Sequence, residues 1–237
     1  MIEIRNITKR YGAKTAVDNV SFIASPGRVT GFLGPNGAGK STTLRILLGL
    51  DRADSGKTFI GGKPYTTLSH PLRSVGAMLD GASAAPGRRG VDHLRWIAQS
   101  NRIPQQRINE VLEIVGLTNS AKLRVGKYSL GMKQRLGIAA SLLGEPGVLV
   151  LDEPVNGLDP EGIRSIRRFL RRYASEGNTV LLSSHLMSEV AETVDDVVII
   201  NKGRVVSAGP LSQITEGFKS LEDAFFALTS GDSVIGW

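Results

Sequence analysis

One run of nine residues has the types and spacing of a phosphate-binding loop. It reads Gly-Pro-Asn-Gly-Ala-Gly-Lys-Ser-Thr, and the expected ligands are Gly34, Pro35, Asn36, Gly37, Ala38, Gly39, Lys40, Ser41 and Thr42. Glycines let the backbone curl until successive N–H groups point at one phosphate chain, at the positive end of the following helix. Lys40 would reach the β- and γ-phosphates, and the hydroxyl of Ser41 would bind Mg²⁺. The sequence therefore predicts a site for a nucleoside triphosphate.

The flanks of this loop support that interpretation. Residues 28–33 are strand-like and residues 41–48 look helical, which is the strand–loop–helix context that the motif requires. The alternative is a glycine-rich turn that contains a lysine by chance. The complete spacing and both flanks argue against it.

A pair of carboxylates follows a second strand-like run. Residues 148–151 read Val-Leu-Val-Leu, the pattern of a strand buried on both faces, and Asp152 and Glu153 come directly after it. In an open α/β sheet, ligands bind at the carboxyl ends of the strands. We expect Asp152 to hold Mg²⁺ through a water, and Glu153 to orient and deprotonate an attacking water. An acidic turn after a core strand is the alternative, and the phosphate loop argues against it.

A third segment lies between the first two. Residues 128–135 read Tyr-Ser-Leu-Gly-Met-Lys-Gln-Arg and open an apolar helix, and Ser129 has the side chain of a good N-cap. A capped helix with no further role is therefore one interpretation. The place of this segment, shortly before Asp152 and Glu153, favours a second one.

The second interpretation is a resemblance to the nucleotide-binding subunits of ABC transporters. Their signature runs Leu-Ser-Gly-Gly-Gln, which Ser129 and Gly131 match and from which Tyr128, Leu130 and Met132 depart. The Ser-Leu-Gly-Met form resembles that of ABC-2-type ATPases from bacterial drug and antibiotic exporters. The resemblance covers nearly the whole chain, and its implied cofactors are ATP and Mg²⁺.

The resemblance also implies roles for residues outside the three motifs. Tyr11 would stack on adenine, and His185 would contact the γ-phosphate, so that Glu153, His185 and Lys40 form the catalytic set. Asp159 would lie in the loop that crosses between two cassettes, together with Ser129 and Gly131 near the nucleotide. On sequence alone, Tyr11 fits a strand-end tyrosine equally well, and a histidine after a strand is usually structural.

One position departs from the family pattern. The family has a glutamine after the strand at residues 75–79, where it touches Mg²⁺ and relays to the membrane partner, but Asp80 stands there in this chain. An aspartate can accept a hydrogen bond from a metal-bound water, although it is shorter and charged. Either Asp80 still serves the metal, or only the relay remains.

The family further implies partners. Two copies would pair head to tail with ATP between them, each phosphate loop facing Ser129 and Gly131 of the other copy. A separate transmembrane permease would dock on the helical region at residues 81–145, with Pro86, Gly87, Arg88 and Arg89 as the candidate contact. The expected location is the cytoplasmic face of the membrane. Export through the permease is the expected function, and import is the alternative.

Composition limits the class of protein. The 237 residues carry a formal net charge of +7 and no cysteine, which excludes disulfides and thiolate metal sites. No apolar run approaches the roughly 18 residues of a membrane-spanning helix. The N-terminal residues alternate charged and apolar side chains, so we expect no signal peptide. The positive charge suggests an acidic partner surface, either lipid headgroups or nucleic acid.

Hydrophobic patterning predicts an α/β fold, a P-loop NTPase with a mostly parallel core sheet. We expect antiparallel strands at residues 2–8 and 16–23, and an inserted helical subdomain at about 81–145. A short helical tail at about 218–237 would complete a single domain of residues 1–237. Further predicted elements are strands at 57–60, 74–79, 147–151, 179–183 and 197–200, and helices at 160–174 and 185–193. His70 is interpreted as a turn residue and His93 as a helix surface residue.

Two rival classes remain for comparison. A nucleic-acid ATPase would use the basic stripe at helical spacing formed by Arg164, Arg167, Arg168, Arg171 and Arg172, but a solvated helix face is the favoured explanation of that stripe. Such proteins carry long coiled coils or two cassettes in one chain, whereas this sequence predicts one compact cassette. We therefore expect no specific nucleic-acid partner. A metabolic P-loop kinase would explain the phosphate loop, but it would not explain residues 129–131, residues 156–159 and His185 together.

Overall fold

The computed structural model describes residues 1–79 and 84–229, except for the side chain of Glu189. The strands in these ranges are β1 (Ile2–Tyr11), β2 (Lys14–Ala24), β3 (Val29–Leu33), β4 (Ser55–Ile60), β5 (Val75–Met78), β6 (Val148–Asp152), β7 (Thr179–Ser184), β8 (Asp196–Asn201) and β9 (Arg204–Pro210). The helices are α1 (Lys40–Leu47), α2 (Pro71–Ser74), α3 (Gly90–Ser100), α4 (Gln105–Ile114), α5 (Leu130–Leu142), α6 (Pro160–Ser175), α7 (Met187–Ala191), α8 (Leu211–Ile214) and α9 (Leu221–Thr229).

A six-stranded sheet forms the centre, in the order β5-β6-β7-β3-β8-β9. All neighbours run parallel except β8 and β9, which pair antiparallel. The register places Asp152 beside Ser183 and Leu33 beside Ser184. The carboxyl ends of β3, β6 and β7 therefore meet at one edge of the sheet. The phosphate loop follows β3, Asp152 and Glu153 lie at the end of β6, and His185 follows β7.

A second, antiparallel sheet packs against the first. Its order is β2-β1-β4, and its inward side chains, which include Ile4 and Val20, share one hydrophobic cluster with Phe32 of β3, Leu44 of α1 and Val150 of β6. This arrangement places α1 between the two sheets. The predicted α/β fold with an N-terminal antiparallel sheet and a mostly parallel core is thus confirmed.

Helices α3, α4 and α5 form the predicted helical insert, and their apolar residues belong to a second hydrophobic cluster that also includes Leu149 and Leu151 of β6. Leu94, Ile108, Val111 and Leu136 are all fully buried in it. The interpretation of His93 as a surface residue is wrong, because only 6% of it is exposed. Burial, followed by the positive charge of Arg88, lowers the pKa of His93 below its ordinary value.

The start of one helix differs from its prediction, and the start of another agrees with it. Helix α7 begins at Met187, so His185 lies in the segment that links β7 to α7. Helix α5 begins at Leu130 with Ser129 as its N-cap. The predicted tail contains α9, while residues 230–237 lie outside the described part of the chain.

The arginines of the basic stripe on α6 differ in their surroundings. Arg167 donates a hydrogen bond to Thr193 Oγ1 at 3.1 Å and pairs with Glu192, and Arg171 donates to the Thr193 carbonyl at 3.4 Å. Arg164 and Arg168 are exposed. Two of the arginines therefore tie α6 to the turn before β8, and the stripe is not a uniform solvated face. Within the described ranges, no helix has the length and apolar content needed to cross a bilayer.

Candidate active site

The phosphate loop lines a cavity at the carboxyl edge of the parallel sheet. The cavity has a volume of about 410 Å³. Its lining residues are Tyr11, Lys14, Ala16, Asn36, Gly37, Gly39, Lys40, Ser41, Thr42, Asp152 and Glu153. Six of the nine predicted phosphate ligands, both acids and the predicted adenine-stacking tyrosine therefore meet in one space, whereas Gly34, Pro35 and Ala38 are not among the lining residues.

Gly39 shows why the loop needs glycine. Its φ of 110° is a left-handed conformation, and a Cβ at this position would lie 2.6 Å from the carbonyl oxygen of Ala16. The residue is also the N-cap of α1 and makes no side-chain cap, so the first N–H groups of the helix stay available to a ligand. A triphosphate fits this cradle, since helix N-termini bind anions.

Lys40 is the buried cation of the cavity. Only 6% of the residue is exposed, and Nζ donates hydrogen bonds to the carbonyl oxygens of Gly34 at 2.6 Å and Pro35 at 3.3 Å. Burial lowers its pKa below the ordinary value, and the charges of Glu153 and Asp152 oppose that shift. The carbonyl groups hold the ammonium in place, and a phosphate oxygen would complete its ligands.

Asp152 and Ser41 supply oxygens at the floor of the cavity. Ser41 Oγ lies 3.0 Å from Asp152 Oδ2, and the other carboxylate oxygen accepts a hydrogen bond from Ser183 Oγ. A hydroxyl and a carboxylate fit Mg²⁺, which protein sites bind through one or two such groups together with substrate phosphates. In the described ranges no group of three His, Cys, Asp or Glu side chains could hold an ion alone. The fit therefore depends on phosphate oxygens.

Glu153 has a left-handed backbone, with φ of 50°. Such a conformation is uncommon outside glycine and persists where neighbours fix it. Its N–H donates to Ser183 Oγ at 3.1 Å and lies 3.3 Å from the Ser183 carbonyl, and its own carbonyl accepts from Gln134 Nε2 at 3.4 Å. These contacts from β7 and α5 aim the carboxylate at the cavity.

The carboxylate of Glu153 lies between a lysine and a histidine. Oε1 is 3.9 Å from Lys40 Nζ, and Oε2 is 2.9 Å from His185 Nδ1. The short histidine contact is not aligned as a hydrogen bond, and within the described structure Nδ1 has no aligned partner. The structure thus brings the three predicted catalytic side chains together.

Three other predicted site residues do not line this cavity. Ser129 Oγ accepts from the Met132 N–H at 3.2 Å and caps α5. Gly131 packs closely on the loop at Gly157, and Asp159 caps α6 by accepting from the Gly162 N–H at 2.9 Å. None of the three is among the residues that line the cavity beside the phosphate loop of the same chain. Asp80 lies outside the described residues.

Sequence reasoning missed several residues that contact the site. Ser183 bonds both acids, Gln134 bonds Glu153, and Lys14 lines the cavity. Ser183 could have been found, since a hydroxyl at the end of a strand beside β6 must face the same edge. Gln134 gave no such signal, because its contact depends on how α5 packs.

Comparisons with known proteins agree with this geometry. A model of the ABC transporter family matches residues 17–156. The chain is similar to the lantibiotic transport ATP-binding protein SrtF of Streptococcus pyogenes, with 37% identity over 225 residues that cover 95% of this chain and 96% of SrtF. It is also similar to the bacitracin transport ATP-binding protein BcrA of Bacillus licheniformis, with 42% identity over 217 residues that cover 90% of this chain and 71% of BcrA.

A solved structure agrees as well. The ATP-binding subunit of an ABC transporter has a TM-score of 0.86 and 27% identity to this chain, and the match covers 96% of this chain and 99% of that one. The family model alone spans more than half of the chain. The chain therefore belongs to the ABC transporter family, as an ATP-binding subunit that hydrolyses ATP.

Proposed function

We propose that this chain powers export through a separate membrane permease, from the cytoplasmic face of the membrane. The observation that carries the proposal is the single cavity in which Lys40, the Ser41–Asp152 pair and Glu153 meet. Relatives named for lantibiotic and bacitracin transport support export of a peptide antibiotic. Import remains the alternative, because the permease sets the direction.

Each side chain has a distinct role in the proposed hydrolysis. Lys40 neutralises phosphate charge, and the N–H groups at the start of α1 bind the same phosphates. Glu153 accepts a proton from the attacking water, while His185 holds that carboxylate and reaches the γ-phosphate. Ser41 and Asp152 would hold Mg²⁺, which supplies charge neutralisation at the phosphate oxygens when bound. Asp80 would contribute either to the metal or to a relay toward the permease.

The active form we propose is a head-to-tail homodimer with ATP at its interface. Ser129, Gly131 and Asp159 lie outside their own cavity, which leaves them available to the nucleotide of a second copy. The first turn of α5 carries no acidic residue, so its positive end suits an anion. The neighbouring Leu130 is 57% exposed, as an interface residue would be before association.

The domain boundaries form part of the proposal. Residues 1–237 would act as one cassette, with a helical subdomain at about 81–145 and a tail at about 218–237. The permease contact would include Arg88, whose guanidinium lies 5.1 Å from the ring centre of the exposed Trp96. Such a cation–aromatic pair at a surface suits a protein partner.

Transport by the purified complex tests the function. The tagged chain is isolated with its permease from membranes and reconstituted, and ATP-dependent movement of labelled bacitracin or a lantibiotic is measured. The complex with Glu153→Gln is the matched control. Movement away from the cytoplasmic side in the wild type alone supports export, and movement toward it indicates import. ATPase activity that nucleic acid stimulates many-fold, without any permease, would overturn the proposal.

A further inference from the structure

The hydroxyl of Tyr11 is anchored to the segment that follows α1. Tyr11 Oη donates a hydrogen bond to Asp51 Oδ2 at 3.1 Å, and Arg45 Nε donates to the same oxygen at 2.9 Å. Arg45 lies in the last turn of α1, the helix that begins with Lys40. The ring at the end of β1 is therefore tied to the helix that forms the phosphate cradle.

The ring is also contacted on one face. Lys9 Nζ lies 5.2 Å from the ring centre of Tyr11 and 3.6 Å from Asp54 Oδ1. The Arg10 N–H donates to the other oxygen of Asp54 at 2.6 Å. Because Lys9 takes one face of the ring, a stacked base would need the opposite one. The end of β1 and the segment at residues 51–54 are thus joined at several points.

Electrostatics favours this anchor at neutral pH. The hydrogen bond from Arg45, and to a smaller extent that from Tyr11, holds the pKa of Asp51 below its ordinary value. Burial, followed by the contact with Asp51, raises the pKa of Tyr11. The acceptor is consequently an ionised carboxylate and the donor a neutral phenol, a combination that makes a stronger hydrogen bond than two neutral groups do.

We propose that Asp51, itself held by Arg45, is a positioning residue that fixes the ring of Tyr11 for stacking on the base of ATP. This proposal rests on the proposed role of Tyr11. A ring whose orientation is fixed before binding loses less conformational freedom when the base arrives. The Tyr11 hydroxyl also contacts Thr42 of the phosphate loop, so the Asp51 variants isolate the effect on the ring better than Tyr11→Phe does. In the described structure Asp51 bonds Tyr11 and Arg45, and neither Lys40 nor Ser41.

Steady-state kinetics on the full chain tests the proposal, with inorganic tripolyphosphate as a competitive inhibitor that lacks a base. We expect Asp51→Ala and Tyr11→Phe each to raise the KM for ATP about five-fold, with kcat little changed. A change in affinity of about five-fold is what the loss of one typical hydrogen bond produces. The inhibition constant of tripolyphosphate should stay constant in Asp51→Ala. Adding Asp51→Ala to Tyr11→Phe should raise the KM no further, because Asp51 acts through the Tyr11 hydroxyl.

Two controls complete the experiment. Asp51→Asn keeps an acceptor oxygen and should restore most of the affinity. Asp18→Ala removes another carboxylate paired with an arginine, Arg204 at 2.6 Å, and should change neither constant. Weaker inhibition by tripolyphosphate in Asp51→Ala, or an unchanged KM in Asp51→Ala and Tyr11→Phe, overturns the positioning role. An unchanged KM in Tyr11→Ala overturns the stacking role on which it rests.

Discussion

His185 Nδ1 lies 2.9 Å from Glu153 Oε2, while Lys40 Nζ lies 3.9 Å from the other oxygen of the same carboxylate. The contact is close but not aligned as a hydrogen bond. The proposed role of His185, to hold this carboxylate, rests on that contact.

The first prediction concerns Glu153→Gln. The amide keeps the shape of the side chain but cannot accept the proton of water, so turnover should fall at least about a hundred-fold, as loss of general-base catalysis typically does. ATP binding should be retained, because Glu153 acts on the water. Single-turnover hydrolysis and equilibrium binding of ATP measure the two effects separately. Near-normal turnover would remove Glu153 from the catalytic role.

A second prediction concerns Lys40→Ala. The ammonium is held by two carbonyl groups and would meet the phosphates directly, so its loss should weaken ATP binding about ten-fold or more. The stabilisation of the fold by ATP should fall in parallel. The rise in Tm on adding ATP measures this effect, and Glu153→Gln is a control in which the rise should be retained. An equal rise in Tm in wild type and Lys40→Ala would contradict the assigned role of Lys40.

Sequence reasoning predicted the elements of the site better than their contacts. The apolar run at residues 148–151 and the phosphate loop each predicted a local structure, because their patterns are short-range. The bond from Ser183 to Asp152 depends on the register of two parallel strands, which neither strand specifies alone. The anchor from Tyr11 to Asp51 likewise joins distant parts of the chain. Such contacts become visible only once the sheets pack.

His93 shows the same limit in the helical insert. It directly precedes Leu94 on α3, at the border of the apolar face that periodicity predicts. Helical spacing cannot decide which side of that border is covered, since the covering segment comes from elsewhere in the chain. The bridge between Arg89 and Arg124, which closes the start of α3, has no signature in the sequence. Burial of this histidine therefore had to be seen in the structure.

A third prediction follows from that burial. Because the pKa of His93 is lowered in the folded state, the unfolded chain binds more protons below about pH 6.5, and stability is lost as the pH falls through that range. His93→Gln keeps a polar side chain that does not titrate and should reduce this acid sensitivity. Urea unfolding at pH 7.5 and pH 5.5 compares the two chains. The same loss of stability in both chains would contradict the prediction.

A fourth prediction concerns Ser129→Arg. Its bulk would lie where the γ-phosphate of a second copy must approach, so ATP-driven dimerisation and turnover should be abolished while the single chain still binds ATP. Ser129→Ala is the matched control, since it removes the cap of α5 at a cost of about 1 kcal/mol without adding bulk. Light scattering with ATP in the Glu153→Gln background measures assembly. A dimer that survives Ser129→Arg would exclude the head-to-tail arrangement.

The last prediction concerns recruitment to the membrane. Replacing Arg88 and Arg89 by alanine should weaken co-purification with the permease, because half-buried Arg88 packs on the exposed Trp96 at the proposed contact on the helical insert. Arg167 and Arg171 are unsuitable as a control, because they tie α6 to Thr193. Arg164 and Arg168 are exposed on α6, so their replacement removes the same charge elsewhere on the surface.

Membrane fractions from cells with and without co-expressed permease measure the difference. A general attraction of positive charge to anionic lipid would be screened by salt and would fall equally in both double variants. A specific protein contact would be lost in Arg88→Ala/Arg89→Ala alone and would depend on the permease. Equal membrane recovery of the wild type with and without the permease would show that lipid, and not a protein partner, recruits the chain.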